Sequence, residues 1–528
     1  MQGQSGGERL RATACTLIWG ILFSLAYGQS PLYTSNQNEF LLHGLARAGR
    51  GLLREDWLAN TADPVPVFSA LVRLTPDERL FYLYFLLLAA VYLYSLWSIA
   101  DRLFELSASP GRTLLFLAVF FLLHSAGLRI ALGRFVGGSW EYLFDGGVAG
   151  HRLLGTVLQP STFGVLLLLG IDQFLRGRPY AAAAAAAAAS VLHVGYLVPS
   201  AILVGSMVWL LFRQDRRWRR PLLAGAVGLV VVLPVVIYTA RTFLPVSAAA
   251  TQILVQVRVP QHAVIANWFD ATVMVKLALV LVAIYAARGS PLAGILAFGA
   301  GAAVLLSLAQ GLSQSDSLAM LFPWRIATYL VPTASAALAG WAARAADRLG
   351  WDGQAELQAG RDAADGQGGS GRAVLWAARL AGLATIAISM TSGLTWSALQ
   401  FAQQRSDPAH GALAFVESHR LPGQVYLIPP RLQDFRLATG APAMVEFKAI
   451  PYRGDEVLAW YDRLRLAQLI YRDRVEEVNC ARLGEAAQEY GVTHVVLDQD
   501  LLGLDCPGLR RLYSDRDYAV AALELEQP

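Results

Sequence analysis

Long apolar stretches broken by short polar ones fill the chain from residue 11 to residue 395. Eleven of them predict helices, near 11–31, 80–100, 113–133, 159–175, 180–194, 196–212, 221–239, 271–287, 291–310, 323–343 and 373–395. Several reach or approach the roughly 20 residues a helix needs to cross the hydrocarbon core of a bilayer. After residue 396 the pattern becomes that of a soluble domain. There Val425–Ile428 and Thr493–Leu497 predict strands, 455–475 and 481–490 predict helices, and Gly491 marks a helix stop before the second strand. The expected fold is mainly α. It is a polytopic transmembrane bundle of about 11 helices over residues 1–395, followed by a small α/β domain over residues 396–528.

Arginines in short connections orient the bundle, because cytoplasmic loops retain positive charge. Arg9 and Arg11 place the N-terminus inside, ahead of an uncleaved first helix, since no small-residue cleavage site follows Tyr27. Arg176 and Arg178 mark a second inside connection, and Arg213, Arg216, Arg217, Arg219 and Arg220 a third. The chain must therefore cross an even number of times between residues 179 and 212. Two helices of about 16 residues reach only about 24 Å each, so this pair is expected to be short and to turn around His193, Gly195 and Pro199. The tract Ala181–Ala189 would let helices pack closely. An odd number of crossings puts the C-terminal domain outside, and the Gly-, Asp- and Gln-rich segment 344–372 reads as a cytoplasmic linker.

Composition agrees with the pattern and narrows the function. Only 16% of the 528 residues are charged and mean hydropathy is +0.43, against about 25% charged in a soluble domain. Intrinsic disorder, a secreted mini-protein and a cytosolic enzyme are excluded. With 43 basic and 39 acidic residues, the balance gives no reason to expect nucleic acid as a partner. Lys276 and Lys448 are the only lysines, so an arginine at a given position is less informative than usual. Lys276 lies close enough to the end of its apolar run to reach the interface and is not expected to form a site. Three cysteines exclude a cysteine-based metal cluster. Cys15 reads as an apolar packer inside the first helix, whereas Cys480 and Cys506, both in the C-terminal domain, are expected to form a structural disulfide in an oxidising space.

Candidate chemistry concentrates in the outer connections. The first, 32–79, contains Asn36-Gln37-Asn38-Glu39 and Asp56-Trp57-Leu58-Ala59-Asn60. Between them Phe40, Leu41, Leu45, Leu52 and Leu53 recur at roughly helical spacing, with Arg47, Arg50 and Arg54 interleaved, which predicts helices lying on the membrane surface. Asp63, before Pro64, reads as a turn residue. The second long outer connection, 240–270, carries Arg258-Val-Pro-Gln-His262, and Phe322-Pro323-Trp324-Arg325 opens the tenth helix. Acids in one loop with Arg and His in others suit a reaction at a lipid phosphate, which needs a carboxylate base and cations for the phosphate. His193 at the turn of the short pair is a further candidate. Pro429-Pro430, Arg431, Phe435-Arg436, Phe447-Lys448, Tyr452 and Arg453 form either an acceptor-recognising surface or ordinary solvated ion pairs.

This layout resembles the GT-C glycosyltransferases and a group of bacterial membrane proteins of that architecture. It shares a first helix, a large outer loop with an acid just after it, surface helices in that loop, about eleven crossings and an outer C-terminal domain. The resemblance implies transfer of a sugar from a polyprenyl-phosphate carrier to a hydroxyl acceptor on the outer face of a bacterial inner membrane. Glu39 then corresponds by position to the family's catalytic acid, with Asp56 a competing base or metal ligand. From their own chemistry, Arg258 and His262 are candidates to hold the carrier phosphate or, for Arg258, to reach lipid headgroups. Arg325 is either a phosphate contact or an interfacial anchor, His193 either faces the substrate cavity or is a hydrogen-bonded core histidine, and a divalent metal ion is left open. The chain departs from the family pattern at Asn38-Glu39, where many members have Asp-Glu or Asp-X-Asp. It also lacks the Trp-Trp-Asp motif of oligosaccharyltransferases. No Gly-rich nucleotide loop points to a nucleotide sugar as donor. The rival readings are a transporter or lipid flippase, which calls for repeated halves and charges inside the spans, and a non-catalytic envelope-assembly protein.

Overall fold

The computed structural model describes residues 6–346, 369–473 and 475–524. The protein is a mainly helical, multi-pass membrane protein with a small C-terminal mixed sheet. Among the described residues, six helices are long and apolar enough to span: Leu80–Phe104, Val194–Asp215, Arg219–Phe243, Pro291–Ser313, Asp316–Ala346 and Trp376–Arg405. A bent pair, Pro110–His124 and Ala126–Phe135, makes a seventh candidate. Ala14–Tyr27, Pro160–Leu175, Pro179–Leu192 and Ala271–Ala286 are shorter apolar helices. Each of the eleven stretches expected to be helical carries one of these elements. Residues 347–368 of the expected linker lie outside the described ones.

Two compact units form, one from residues 1–29, 81–235 and 261–398, the other from 30–80, 236–260 and 399–528. In the first unit an aromatic core of Phe23, Tyr92, Phe120, Phe121 and His124 ties together the first, second and third apolar helices. The third helix is not the single element expected. Ser125 adopts an extended backbone and its hydroxyl accepts the Leu128 N–H at 3.1 Å, so a new helix starts there after a 46° bend. Of the pair expected to be short, only Pro179–Leu192 is; its partner runs 22 residues, Val194–Asp215. The alanine tract does bring backbones together: Ala182 and Ala186 are fully buried, and a side chain at Gly170 would meet the Ala182 carbonyl at 3.0 Å.

Two sequence expectations are corrected here. Cys15 is exposed, not packed inside. Lys276 does not reach outward; it is buried and its ammonium donates to the Gly147 carbonyl at 2.6 Å. A buried ammonium is tolerable only with such partners.

In the second unit, Gln37–Phe40 leads into Leu42–Ala48, and Pro66–Leu74 packs against Leu42–Ala48. Leu41, Leu45 and Leu53 belong to the segment expected to lie along the membrane surface. They are instead buried, at most 3% exposed, within this unit. The amphipathic spacing was real, and its apolar side is covered by protein. The sheet has strand order β1-β2-β4-β3, with β1 (Tyr426–Leu427) parallel to β2 (His494–Leu497). β4 (Ala519–Leu523) runs antiparallel to β2 and to β3 (Leu509–Ser514). Val416, Ile428, Phe435, Val496 and Val520 form its core. Gly454–Arg472 and Glu476–Tyr490 are helices, and Gly491, at φ +68°, ends the second. A disulfide joins Cys480 to Cys506 with their Cα atoms 5.4 Å apart.

Candidate functional site

Glu39 lies on the short helix Gln37–Phe40 in the second unit and is 8% exposed. Its carboxylate is held by two residues remote in sequence. The Arg258 guanidinium donates to Oε2 at 3.2 Å, and the Tyr452 hydroxyl donates to Oε1. Arg258 also donates to the Lys448 carbonyl and stands 5.5 Å from the centre of the Phe447 ring. The Lys448 ammonium donates to the Asn36 side-chain oxygen. Local structure aims Arg258: Leu254–Arg258 is a widened helical turn, closed by Val259 N–H to the Leu254 carbonyl at 2.9 Å. Turns of this kind recur at functional sites. Among the described residues, the buried Arg258 Nε and Asn38 Oδ1 have no hydrogen-bond partner. One acid, two cations, a phenol and two unspent polar atoms thus share a nearly dry place. Such a cluster is equipped to take a proton from a hydroxyl and to hold an anion.

Asp56 sits elsewhere in the same unit. It is fully buried, and its two oxygens accept Leu58 N–H at 2.8 Å, Ala59 N–H at 3.3 Å, Arg436 Nε at 2.7 Å and Ala443 N–H at 2.8 Å. That fills the four lone-pair positions of a carboxylate. Arg436, which the sequence offered as a surface residue, is fully buried. It also faces Glu446, at 3.5 Å from Nη1 to Oε1. One guanidinium therefore serves two buried carboxyls. Burial, with Asp56 adding to it, pushes Glu446 up to about 8 despite the attraction of Arg436. Since the folded protein holds this proton above the pH at which the unfolded chain releases it, the Glu446 contribution weakens as pH rises from about 4.5 toward 8. Glu446→Gln, a neutral isostere, is expected to melt progressively higher relative to wild type as pH is raised across that window. Parallel melting curves at pH 5 and pH 8 would contradict the assignment of a protonated Glu446.

The remaining predicted residues belong to the first unit and cluster there. Arg325 Nη1 donates to His193 Nε2 at 3.5 Å, and the guanidinium lies 4.9 Å from the Phe322 ring centre. His262 Nδ1 is 2.6 Å from the Ala149 carbonyl, while its own carbonyl accepts the Trp324 indole N–H at 2.9 Å. A Cβ at Gly195 would fall 1.6 Å from Arg325 Nη1, so a side chain there would displace the guanidinium. His151, which sequence reading passed over, stands with its ring 5.0 Å from that of His262.

The structure thus joins Glu39 with Arg258 in one unit and His193, His262 and Arg325 in the other. Asp56 joins Arg436 and Glu446 instead. Lys448 and Tyr452 were visible in sequence only as parts of a polar surface; their sequence distance from Glu39 concealed the pairing. Among the described residues, no group of three or more His, Cys, Asp and Glu side chains is arranged to hold a metal ion.

Residues 409–467 match a family model described as a domain of unknown function, DUF6798. No curated protein matches the chain. Among solved structures, it is similar to ArnT from Cupriavidus metallidurans bound to undecaprenyl phosphate, at 16% identity and a TM-score of 0.46, over 99% of this chain and 100% of that one. It is also similar to ArnT from Cupriavidus metallidurans in the apo state, at 17% identity and a TM-score of 0.44, over 99% of each chain.

Proposed function

We propose that the protein is a membrane-embedded inverting glycosyltransferase. It moves a sugar from a polyprenyl-phosphate carrier to a hydroxyl acceptor on the outer face of a bacterial inner membrane. The observation that carries this reading is the buried Glu39 carboxylate held by Arg258 and Tyr452, in the loop where the GT-C layout puts its acid. In a single displacement, the acceptor oxygen forms a bond to the anomeric carbon as the bond from that carbon to the phosphate oxygen breaks. The acceptor proton passes to Glu39. The electron pair leaves on the phosphate, whose growing charge needs fixed donors.

Arg258 supplies a donor in the unit that holds Glu39, with its buried Nε still uncommitted among the described residues. His262, Arg325 and His193 are proposed phosphate contacts of the first unit. Asp56 is assigned to holding the second unit together, because its acceptor positions are already filled.

The test is transfer by the purified full-length protein in detergent. Polyprenyl-phosphate sugars labelled in the sugar are expected to pass label to an acceptor fraction from a bacterial envelope, while labelled nucleotide sugars are not. Label that moves from nucleotide sugars alone, or from neither donor, would overturn the reading.

A further inference from the structure

We propose that His151 is a phosphate-binding residue of the first unit, acting with Arg325 and His262 to recognise a phosphate monoester group. The inference rests on the function proposed above, since it adds a ligand to that carrier chemistry. His151 is carried by a tight reversal. Gly146 and Arg152 pair as an isolated antiparallel bridge, Gly147 N–H donates to the His151 carbonyl at 2.8 Å, and Ala149 and Gly150 take left-handed conformations at φ +56° and +68°. The reversal is fitted against its neighbour, for a Cβ on Gly150 would approach His262 Cε1 to 3.1 Å.

The side chain is 8% exposed, with Phe322 5.3 Å away, ring centre to ring centre. Among the described residues, neither ring nitrogen makes a well-formed hydrogen bond, although the Val148 carbonyl lies close enough to act on the ring. Buried polar atoms usually find a partner in ordered water, an ion or a ligand, and the surroundings of this ring favour an anion. The chemistry of that ligand follows from the surroundings. Burial is the largest influence on the ring; Arg325, His262 and His193 add to it in disfavouring a positive charge, while the Val148 carbonyl favours one. A metal cation would meet the Arg325 charge. An anion with several acceptor oxygens would be attracted by it and would satisfy the imidazole as well.

Tautomers point the same way. The Ala149 carbonyl can only accept, so the His262 proton sits on Nδ1. His151 is held less firmly, by the Val148 carbonyl, and can present an N–H to a phosphate oxygen. Because an arriving dianion favours protonated imidazole, binding takes up protons, and affinity should rise as pH falls. His262, His193 and the phosphate itself contribute to that slope, so it is the change on substituting His151 that is diagnostic.

A phosphate monoester at the end of a polyprenyl chain and free inorganic phosphate present the same group. The experiment measures binding of a polyprenyl phosphate to the full-length protein in detergent between pH 6 and 8, with inorganic phosphate as competitor. His151→Phe is expected to weaken binding at least tenfold. His151→Gln, which keeps an N–H donor, is expected to recover part of the loss with a flatter pH profile. Competition by inorganic phosphate identifies the free ion as a ligand; absence of competition identifies the lipid headgroup, and either supports the site. Wild-type affinity and pH profile in His151→Gln would overturn the proposal, even if His151→Phe fails to fold, and so would failure of the wild-type protein to bind either probe. Sugar transfer is read separately. Transfer with normal binding in both His151 variants removes this inference alone, whereas His151-dependent binding without any transfer removes the glycosyltransferase reading alone.

Discussion

Glu39→Gln is expected to lower the rate of sugar transfer by about 10²–10⁴-fold, the range that a positioned general base contributes. Glutamine keeps the size of the side chain and one oxygen, which can accept from either the Tyr452 hydroxyl or the Arg258 guanidinium, since the two donate to different carboxylate oxygens. It cannot take a proton from an acceptor hydroxyl. The loss should therefore fall on kcat, with KM for the carrier little changed. Because Arg258 loses its buried ion-pair partner, the melting temperature should fall too, and rates are compared well below it. This outcome separates catalysis from its rivals. A protein that only scaffolds envelope assembly would keep pathway output in Glu39→Gln, and so would a flippase that used Glu39 only to fix a loop. A kcat within tenfold of wild type would remove Glu39 as the base.

Arg436→Met is expected to have the second large effect, on stability. Arg436 is fully buried between Asp56 and Glu446, and removing one partner of a buried ion pair costs about 3–5 kcal/mol because the other charge is stranded. That is a large share of the roughly 5–15 kcal/mol that holds a typical domain folded. The variant should be readily cleaved by protease within residues 399–524 and should yield little folded protein. Adding Asp56→Asn should recover part of the loss, since the two residues act as one unit. Melting within about 4 °C of wild type, the shift of roughly 1 kcal/mol in a domain of this size, would refute the assignment.

Much of the scaffold was legible because membrane spans obey a strong local rule: apolar length. The eleven stretches could be found without knowing any contact. What could not be seen was where a helix breaks inside an apolar run. The bend at Ser125 depends on a hydroxyl that caps one backbone N–H, and a serine in that position reads equally well as a helix-interior residue. In the first loop, the leucine spacing correctly announced an amphipathic segment, yet spacing does not distinguish lipid from protein as the covering surface. Leu41 and Leu53 are buried in protein.

The chemistry was less legible than the scaffold. Glu39 and Asp56 are both acids in one loop, and nothing local distinguishes a carboxylate with four backbone and guanidinium donors from one left beside a phenol. The difference lies in partners hundreds of residues away. His151 escaped notice because its role depends on what fails to bond to it, which no motif encodes. Strands β3 and β4 were missed for a simpler reason. β4 is largely alanine and valine, and β3 is polar along much of its length, so neither shows a clean alternation.

Tyr452 is 413 residues downstream of Glu39. At about 5–20 residues per second, a ribosome needs roughly 20–80 s between making one and making the other. Arg258 is made about midway through that interval, but until its end the amino-terminal loop must persist without Lys448 and Tyr452. A message truncated just before codon 448 would therefore yield a chain whose spans can insert and whose loop has Arg258 but never gains Lys448 or Tyr452. Such a product is a natural client for membrane quality control, and its fate would be settled by segments the early chain has not yet met.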